Sequence, residues 1–234
     1  MKSFLVIPRF LCYIFILFGF GEAQDQEWTT AFSLEGEHGI AKNTLLTTLP
    51  SMTKEWKVTF EVNPTDYGFR SYASVLHLTI GGKGTGSGAK VRDYLYKYTN
   101  TKIHKYKYYS KVGDRIPGIW FHKSKGVLVS TALNGKASYN KFVKPLPPVG
   151  AWTRIEISQR MVSLQNTFSI TIGNQQVFTK PNTKPVELSD VKVFSGNPWS
   201  SSQKGSLRNL KIEIKKTSID CVPAGGMHLK YFSK

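Results

Sequence analysis

Residues 90 to 111 read KVRDYLYKYTNTKIHKYKYYSK and hold seven Lys or Arg, one acid and six of the chain's eleven tyrosines. Cations at that density attract polyanions, with an affinity that falls steeply as salt displaces counterions. The cations are Lys90, Arg92, Lys97, Lys102, Lys105, Lys107 and Lys111. Tyr94, Tyr96, Tyr98, Tyr106 and Tyr108 are interleaved with them and offer ring faces for stacking on sugars. Trp120 and Trp199 are further stacking candidates, and Tyr67 is another aromatic platform. Two short strands joined at Thr99-Asn100-Thr101 would put tyrosine on one face and cations on the other. The same pattern also suits an edge hairpin whose lysines guard a sheet against aggregation.

Other chemistry is harder to place. No Gly-x-Ser-x-Gly elbow accompanies His38, His77, His104, His122 or His228, so no nucleophile is indicated. Gly81-Gly82-Lys83-Gly84-Thr85-Gly86-Ser87-Gly88 lacks the Gly-Lys-Ser/Thr ending and following helix of a phosphate loop, and it reads as a flexible connection. Asp66 and Asp114 could ligate calcium, but neither has a carboxylate neighbour in sequence, and no metal or cofactor is expected.

The N-terminus explains where such a protein would act. Lys2 and Arg9 precede an apolar run from Phe10 to Phe20, and Gly21-Glu22-Ala23 offers small residues to a signal peptidase. A secretory signal over residues 1–23 is expected, and the run is short of the ~20 apolar residues of a membrane span. Removing residues 1–23 takes Lys2, Arg9 and Glu22 away, so the 32 basic and 15 acidic residues become 30 and 14, a charge of about +16. A secreted protein with that charge is expected to meet acidic or sulfated glycans or acidic matrix proteins. Nucleic acid fits the same electrostatics but is rarely met outside the cell. The one cysteine beyond the signal, Cys221, lies in an irregular tail over residues 217–234. It is a free thiol, a reactive thiol or the partner in an intermolecular disulfide dimer.

The remainder, residues 24–216, must supply a scaffold. Alternation with period two marks strands at Glu27–Leu34, Lys54–Val62, Tyr72–Ile80, Ile119–His122, Gly126–Leu133, Ala137–Phe142, Trp152–Ser158, Phe168–Ile172 and Gln176–Phe178. Asn134-Gly135 is a two-residue hairpin signal. Near the C-terminus, Asp190–Phe194 and Leu207–Ile214 flank a spacer containing Gly196, Asn197, Pro198 and Gly205. In the second run Leu210, Ile212 and Ile214 are expected to share the buried face, with Arg208 on that face at its entrance. Many short strands with Gly and Pro turns and no amphipathic helix describe an all-β, antiparallel two-sheet jelly-roll sandwich carrying a basic Tyr/Lys-rich insertion.

Trp152-Thr153-Arg154-Ile155-Glu156-Ile157-Ser158-Gln159, Phe168-Ser169-Ile170-Thr171-Ile172-Gly173, Val191-Lys192-Val193-Phe194-Ser195-Gly196 and Gly205-Ser206-Leu207-Arg208-Asn209-Leu210-Lys211-Ile212 form a sequence of strands. In that order they resemble the concanavalin A-like lectin/glucanase superfamily, particularly its laminin-G-like and pentraxin-like secreted members. The segment Gly113–Phe121 looks like the middle strands of the same domain. The chain is also similar to secreted cnidarian proteins, including those of coral skeletal organic matrix. The resemblance covers about residues 27 to 216 and implies a concanavalin A-like fold that hosts lectins, glycosidases and adhesion modules alike. A glucanase of this superfamily carries Glu-x-Asp-x-x-Glu on one strand, and that motif is absent. The expectation is therefore a non-enzymatic extracellular binding or matrix protein, possible in a biomineral setting, with a carbohydrate-specific and calcium-dependent lectin as the alternative.

Overall fold

The computed structural model describes residues 27–68, 72–81, 90–95, 103–108 and 111–215, with backbone alone for 90–95 and 103–108. The expected signal peptide and Cys221 with its tail lie outside the described residues, as do Lys97, Lys102, Tyr96 and Tyr98.

Fourteen strands are described: β1 (Trp28–Gly39), β2 (Thr44–Met52), β3 (Trp56–Pro64), β4 (Tyr72–Thr79), β5 (Lys90–Leu95), β6 (Ile103–Tyr108), β7 (Gly118–His122), β8 (Gly126–Leu133), β9 (Lys136–Val143), β10 (Thr153–Val162), β11 (Gln165–Ile172), β12 (Gln175–Pro181), β13 (Leu188–Ser195) and β14 (Gly205–Lys215). One six-stranded sheet runs β1-β14-β3-β10-β11-β12 and the other β2-β13-β4-β7-β8-β9, and every pairing within them is antiparallel. This is the expected all-β, two-sheet jelly-roll sandwich. Among the described residues no helix is long and apolar enough to cross a membrane.

The strands form because their alternation supplies one apolar face each. Trp56, Val58, Phe60 and Val62 of β3 meet Ile155 and Ile157 of β10 and Leu210 and Ile212 of β14 within one buried cluster. Val75, Leu78, Ile119, Phe121, Val127, Val129, Val191 and Val193 enter it from the second sheet. Burying such side chains contributes about 1.5–3 kcal/mol each. At one open edge, inward-turned Tyr139 of β9 stacks on Phe178 of β12 with centroids 6.3 Å apart, and the Lys141 ammonium stands 4.5 Å over the Phe178 ring. That inward turn leaves Ser138 and Asn140 facing out.

The structure corrects four readings of the pattern. β2 carries no clean alternation because Pro50 interrupts it, yet an edge strand tolerates a residue that cannot donate to the ladder. Alternation over Tyr72–Ile80 sets Ile80 on the buried face with Leu76 and Leu78, but it is 40% exposed, since the strand ends at Thr79. The same alternation sets Val75 with His77 and Thr79 on the polar face. A register shift between Ser74 and Leu76 instead turns Val75 to the core beside Leu76, while His77 faces out between Leu76 and Leu78 as the alternation sets it. In β14 a second shift, at Asn209 (φ 52°), puts Leu207 in the core with Leu210 and turns Arg208 out. Arg208 Nε there donates to Glu61 at 2.7 Å and its guanidinium lies 4.2 Å over the Trp152 ring. The two C-terminal runs also enter different sheets, so the spacer between them crosses from one sheet to the other.

Candidate functional site: an aromatic cavity on the outer face of the second sheet

Along β7, Ile119 and Phe121 point to the core, which leaves Trp120 on the outer face of its sheet. Its neighbours there are His77 of β4, Leu128 of β8 and Asn140 of β9. Trp199 arrives from the spacer 196–204, and the bulge at Val75 holds that spacer down. Backbone groups of Ser74 and Val75 pair with the spacer: Ser74 N donates to Ser201 O at 2.8 Å, Gln203 N to Ser74 O at 2.8 Å, and Gly196 N to Val75 O at 2.9 Å. Asn197 then folds the tip. Its Oδ1 accepts from the backbone N–H groups of Trp199 (3.0 Å) and Ser200 (2.6 Å) and from the Ser200 hydroxyl (2.9 Å). This is an Asx turn, for which Asn before Pro-x is suited. The backbone N–H of Asn197 is anchored on Ser74 Oγ at 2.9 Å.

The result is a cavity of about 400 Å³ lined by Tyr72, His77, Arg115, Trp120, Asn140 and Trp199, with Leu128, Asn197 and Ser200. His77 stands between the two indoles, edge to face with each, at 5.4 Å from Trp120 and 5.2 Å from Trp199. The Arg115 guanidinium lies over the Trp120 ring, 5.4 Å from its centroid, and its Nη1 donates to Ser138 Oγ at 2.6 Å and Ser130 Oγ at 3.4 Å. Tyr72 extends the aromatic wall toward His122, 4.9 Å away, and Phe142, 6.2 Å away.

The electrostatics are set by burial. His77 is 1% exposed, and desolvation pulls its pKa down to about 3, with the Arg115 charge assisting and a hydrogen bond to the Asp114 carbonyl opposing. It is therefore neutral at physiological pH. Burial also lowers the pKa of Arg115, against the charge of Asp114, but a guanidinium keeps its proton at neutral pH. Among the described residues that line it there is no Asp or Glu. The cavity thus offers two indole faces, one cation and amide and hydroxyl hydrogen-bonding groups.

The residues nominated from sequence separate into three groups. Trp120 and Trp199, 79 residues apart in the chain, are brought into one cavity with ring contacts to the same histidine. Tyr67 is not in it: its hydroxyl donates to the Pro147 carbonyl and its ring packs edge-on against Phe121 at 6.0 Å, against the core. The basic segment forms its own two-stranded ladder, β5 with β6, and its register sets Lys90 opposite Tyr108, Arg92 opposite Tyr106, Tyr94 opposite His104 and Asp93 opposite Lys105. Val91 is opposite Lys107. Lys111 is exposed, and its backbone N–H is held by Asp114 Oδ2 at 2.7 Å. Asp66, the other calcium candidate, accepts from Gly68 N at 2.7 Å and pairs with Lys204 at 2.9 Å. Both aspartates cap local turns, and no group of three or more His, Cys, Asp or Glu able to hold a metal occurs among the described residues. Sequence reasoning missed His77, Arg115, Asn140 and Tyr72. The one available signal was the position of His77 on the polar side of an otherwise apolar strand.

No family model and no curated protein matches the chain. Solved structures similar to it include the native heptameric SAP-like pentraxin from Limulus polyphemus, at 13% identity and a TM-score of 0.42, covering 80% of this chain and 76% of that one. The Ruminococcus gnavus IT-sialidase CBM40 bound to alpha2,3 sialyllactose has 9% identity and a TM-score of 0.46, covering 79% and 91%. Domain 4 of a GH43 extracellular arabinanase from Geobacillus stearothermophilus, in complex with arabinotriose, has 13% identity and a TM-score of 0.41, covering 80% and 82%. Likenesses of this size say nothing of ligand or activity, and the fold assignment rests on the strand order itself.

Proposed function

We propose that this chain is a non-enzymatic, secreted carbohydrate-binding protein whose cavity holds a sugar ring against Trp120 and Trp199. The convergence of these two indoles with His77, Arg115 and Asn140 around about 400 Å³ carries the reading. Small-ligand sites span roughly 300–1,000 Å³ and combine apolar walls with a few placed polar groups. The C–H face of a sugar packs on indole, and its hydroxyls need the amide, imidazole and hydroxyl partners that line this wall. Arg115 suits an acidic substituent, carboxylate or sulfate, at one end of the ligand.

The β5–β6 ladder with its flanking lysines favours a second, additive contact. A long acidic or sulfated glycan, or an acidic matrix protein, would be held by that segment through charge while the cavity reads one residue. Membership of the concanavalin A-like superfamily, a place in an extracellular and even skeletal matrix, and a disulfide-linked dimer through Cys221 belong to the same proposal. They are supported by the strand motifs, the signal-like N-terminus and the charge.

Printing neutral, uronic, sialylated and sulfated glycans and probing them with the native protein and a Trp120→Ala variant tests the reading. The native protein should bind a defined subset, and the variant should lose at least tenfold in affinity for it, as loss of one stacking aromatic worth about 1.5 kcal/mol requires. Replacing Lys97, Lys102, Lys105 and Lys107 by Gln should remove only the salt-sensitive part of binding. Equal binding by native protein and Trp120→Ala would refute the cavity as the site.

A further inference from the structure

We infer that the floor of the cavity reads one ligand hydroxyl, which donates to His77 Nδ1 and accepts from the indole N–H of Trp199. The inference rests on the carbohydrate reading and narrows it to a ligand that carries both a proton and a lone pair at that point.

The tautomer of His77 follows from its partner. His77 Nε2 lies 2.9 Å from the Asp114 backbone carbonyl. A carbonyl can only accept, so Nε2 carries the ring proton and Nδ1 is a bare acceptor. Nδ1 is buried with no hydrogen-bond partner among the described residues, and so is Trp199 Nε1. Nearly all buried polar side-chain atoms are paired, and one left unpaired costs about 1–3 kcal/mol. Here an orphaned acceptor and an orphaned donor occur on two rings that touch edge to face at 5.2 Å and line the same cavity. Gly118, opposite His77 in the β4–β7 ladder, lets the Trp120 ring and Nδ1 pack directly on the backbone: a Cβ there would stand 2.7 Å from Trp120 Cζ3 and 2.9 Å from Nδ1.

A hydroxyl oxygen satisfies both atoms at once, giving its proton to Nδ1 and receiving the indole proton on a lone pair. A carboxylate or sulfate oxygen has no proton for Nδ1 and would set lone pair against lone pair. An ammonium has no lone pair for the indole. An acidic substituent is therefore directed away from this floor, toward the Arg115 side, and the floor selects for a free hydroxyl. A ligand whose hydroxyl is replaced by hydrogen at that position leaves both protein atoms orphaned, which is the stronger form of discrimination.

The experiment follows the ring nitrogens of His77 and the indole N–H of Trp199 by NMR in the ¹⁵N-labelled full chain. Ethylene glycol is added as a minimal hydroxyl probe, then the methyl pyranosides of glucose, galactose and mannose. The expected result is the Nε2–H tautomer in the free protein, with His77 Nδ1 and Trp199 N–H moving together on addition. His77→Phe and Trp199→Phe keep the rings and should each weaken glycoside affinity about tenfold. Unchanged affinity in both variants overturns the inference and leaves the carbohydrate reading standing. If neither these glycosides nor any glycan of the printed panel binds, the carbohydrate reading fails. Joint movement with ethylene glycol then upholds the inference, and stillness overturns it. The Nδ1–H tautomer, or a direct Trp199-to-His77 hydrogen bond in the free protein, overturns it in either case.

Discussion

Between pH 6.5 and 4.5 the folded protein should lose about 2–3 kcal/mol of stability, and a His77→Phe variant should lose almost none over the same interval. An unfolded chain protonates histidine near 6.5, whereas burial holds the folded-state His77 neutral down to about 3. A base whose pKa is lowered by folding contributes stability that is fully present above its unfolded value. That stability is lost as pH falls toward the folded value, because the unfolded state takes up the proton first. The limiting slope is about 1.4 kcal/mol per pH unit for one such group. Charged groups around the ring act in the same direction or are fixed: Arg115 disfavours a second cation, and the Asp114 carbonyl remains an acceptor throughout. Glu61 and Glu213 also contribute acid lability. Arg208 lowers the first through a hydrogen bond; Lys211 and Lys57 lower the second against its own desolvation. Their share is present above the ordinary carboxylate value of 4.5 and is lost below it, so the upper window isolates His77. Urea unfolding at half-unit pH steps, on native protein and variant, measures the slope. Equal slopes would show that His77 is protonated in the folded state.

Replacing Gly118 by alanine should cost about 2–3 kcal/mol and abolish ligand binding together. A Cβ there would fall 2.3 Å from Trp120 Cη2, 2.7 Å from Cζ3 and 2.9 Å from His77 Nδ1. Trp120 is only 7% exposed and His77 is braced on its far side by Trp199, so neither ring can yield without the other. The strain goes into the two rings that form the cavity wall. Gly39→Ala is the control, since a Cβ at that position meets nothing within 4 Å, and it should be neutral within about 0.5 kcal/mol. Denaturant midpoints and ligand titration on the two variants give both readouts. A Gly118→Ala protein as stable as Gly39→Ala would mean that Trp120 is not seated as described.

Much of the scaffold was legible in the residues, and the cavity was only half legible, for a physical reason. Strands such as Trp56–Val62 and Ile155–Ile157 declare themselves because one face is wholly apolar and the other polar. β2 did not, because an edge strand with Pro50 and exposed Leu45 needs no strict alternation. The misplaced residues Val75 and Arg208 sit at β-bulges, where one extra residue reverses the face of everything beyond it. Period-two reasoning carries straight through such a point, although Asn209 in a left-handed conformation is a type that favours one. The cavity depends on those bulges. The shift at Ser74 frees the backbone groups that dock the Trp199 turn over His77. Composition could nominate Trp120 and Trp199 as exposed aromatics. It ranked Tyr67 with them, and nothing local distinguishes a ring that packs on Phe121 from one that walls a cavity. Arg115, Ser138 and Asn140 meet only through the β7-β8-β9 pairing, so they carried no sequence signal as a set.

The carbohydrate reading can be tested most directly by ¹⁹F NMR of the protein labelled with 5-fluorotryptophan, whose five tryptophans give five resonances. Assigned by single Phe replacements, they are followed during titration with a panel of neutral, uronic and sulfated oligosaccharides. The account predicts that the Trp120 and Trp199 signals shift together and saturably, while Trp56 in the core and Trp28 and Trp152 beside Lys57 and Arg208 stay in place. Movement of Trp28 and Trp152 alone, or of none of the five with every saccharide, would contradict it.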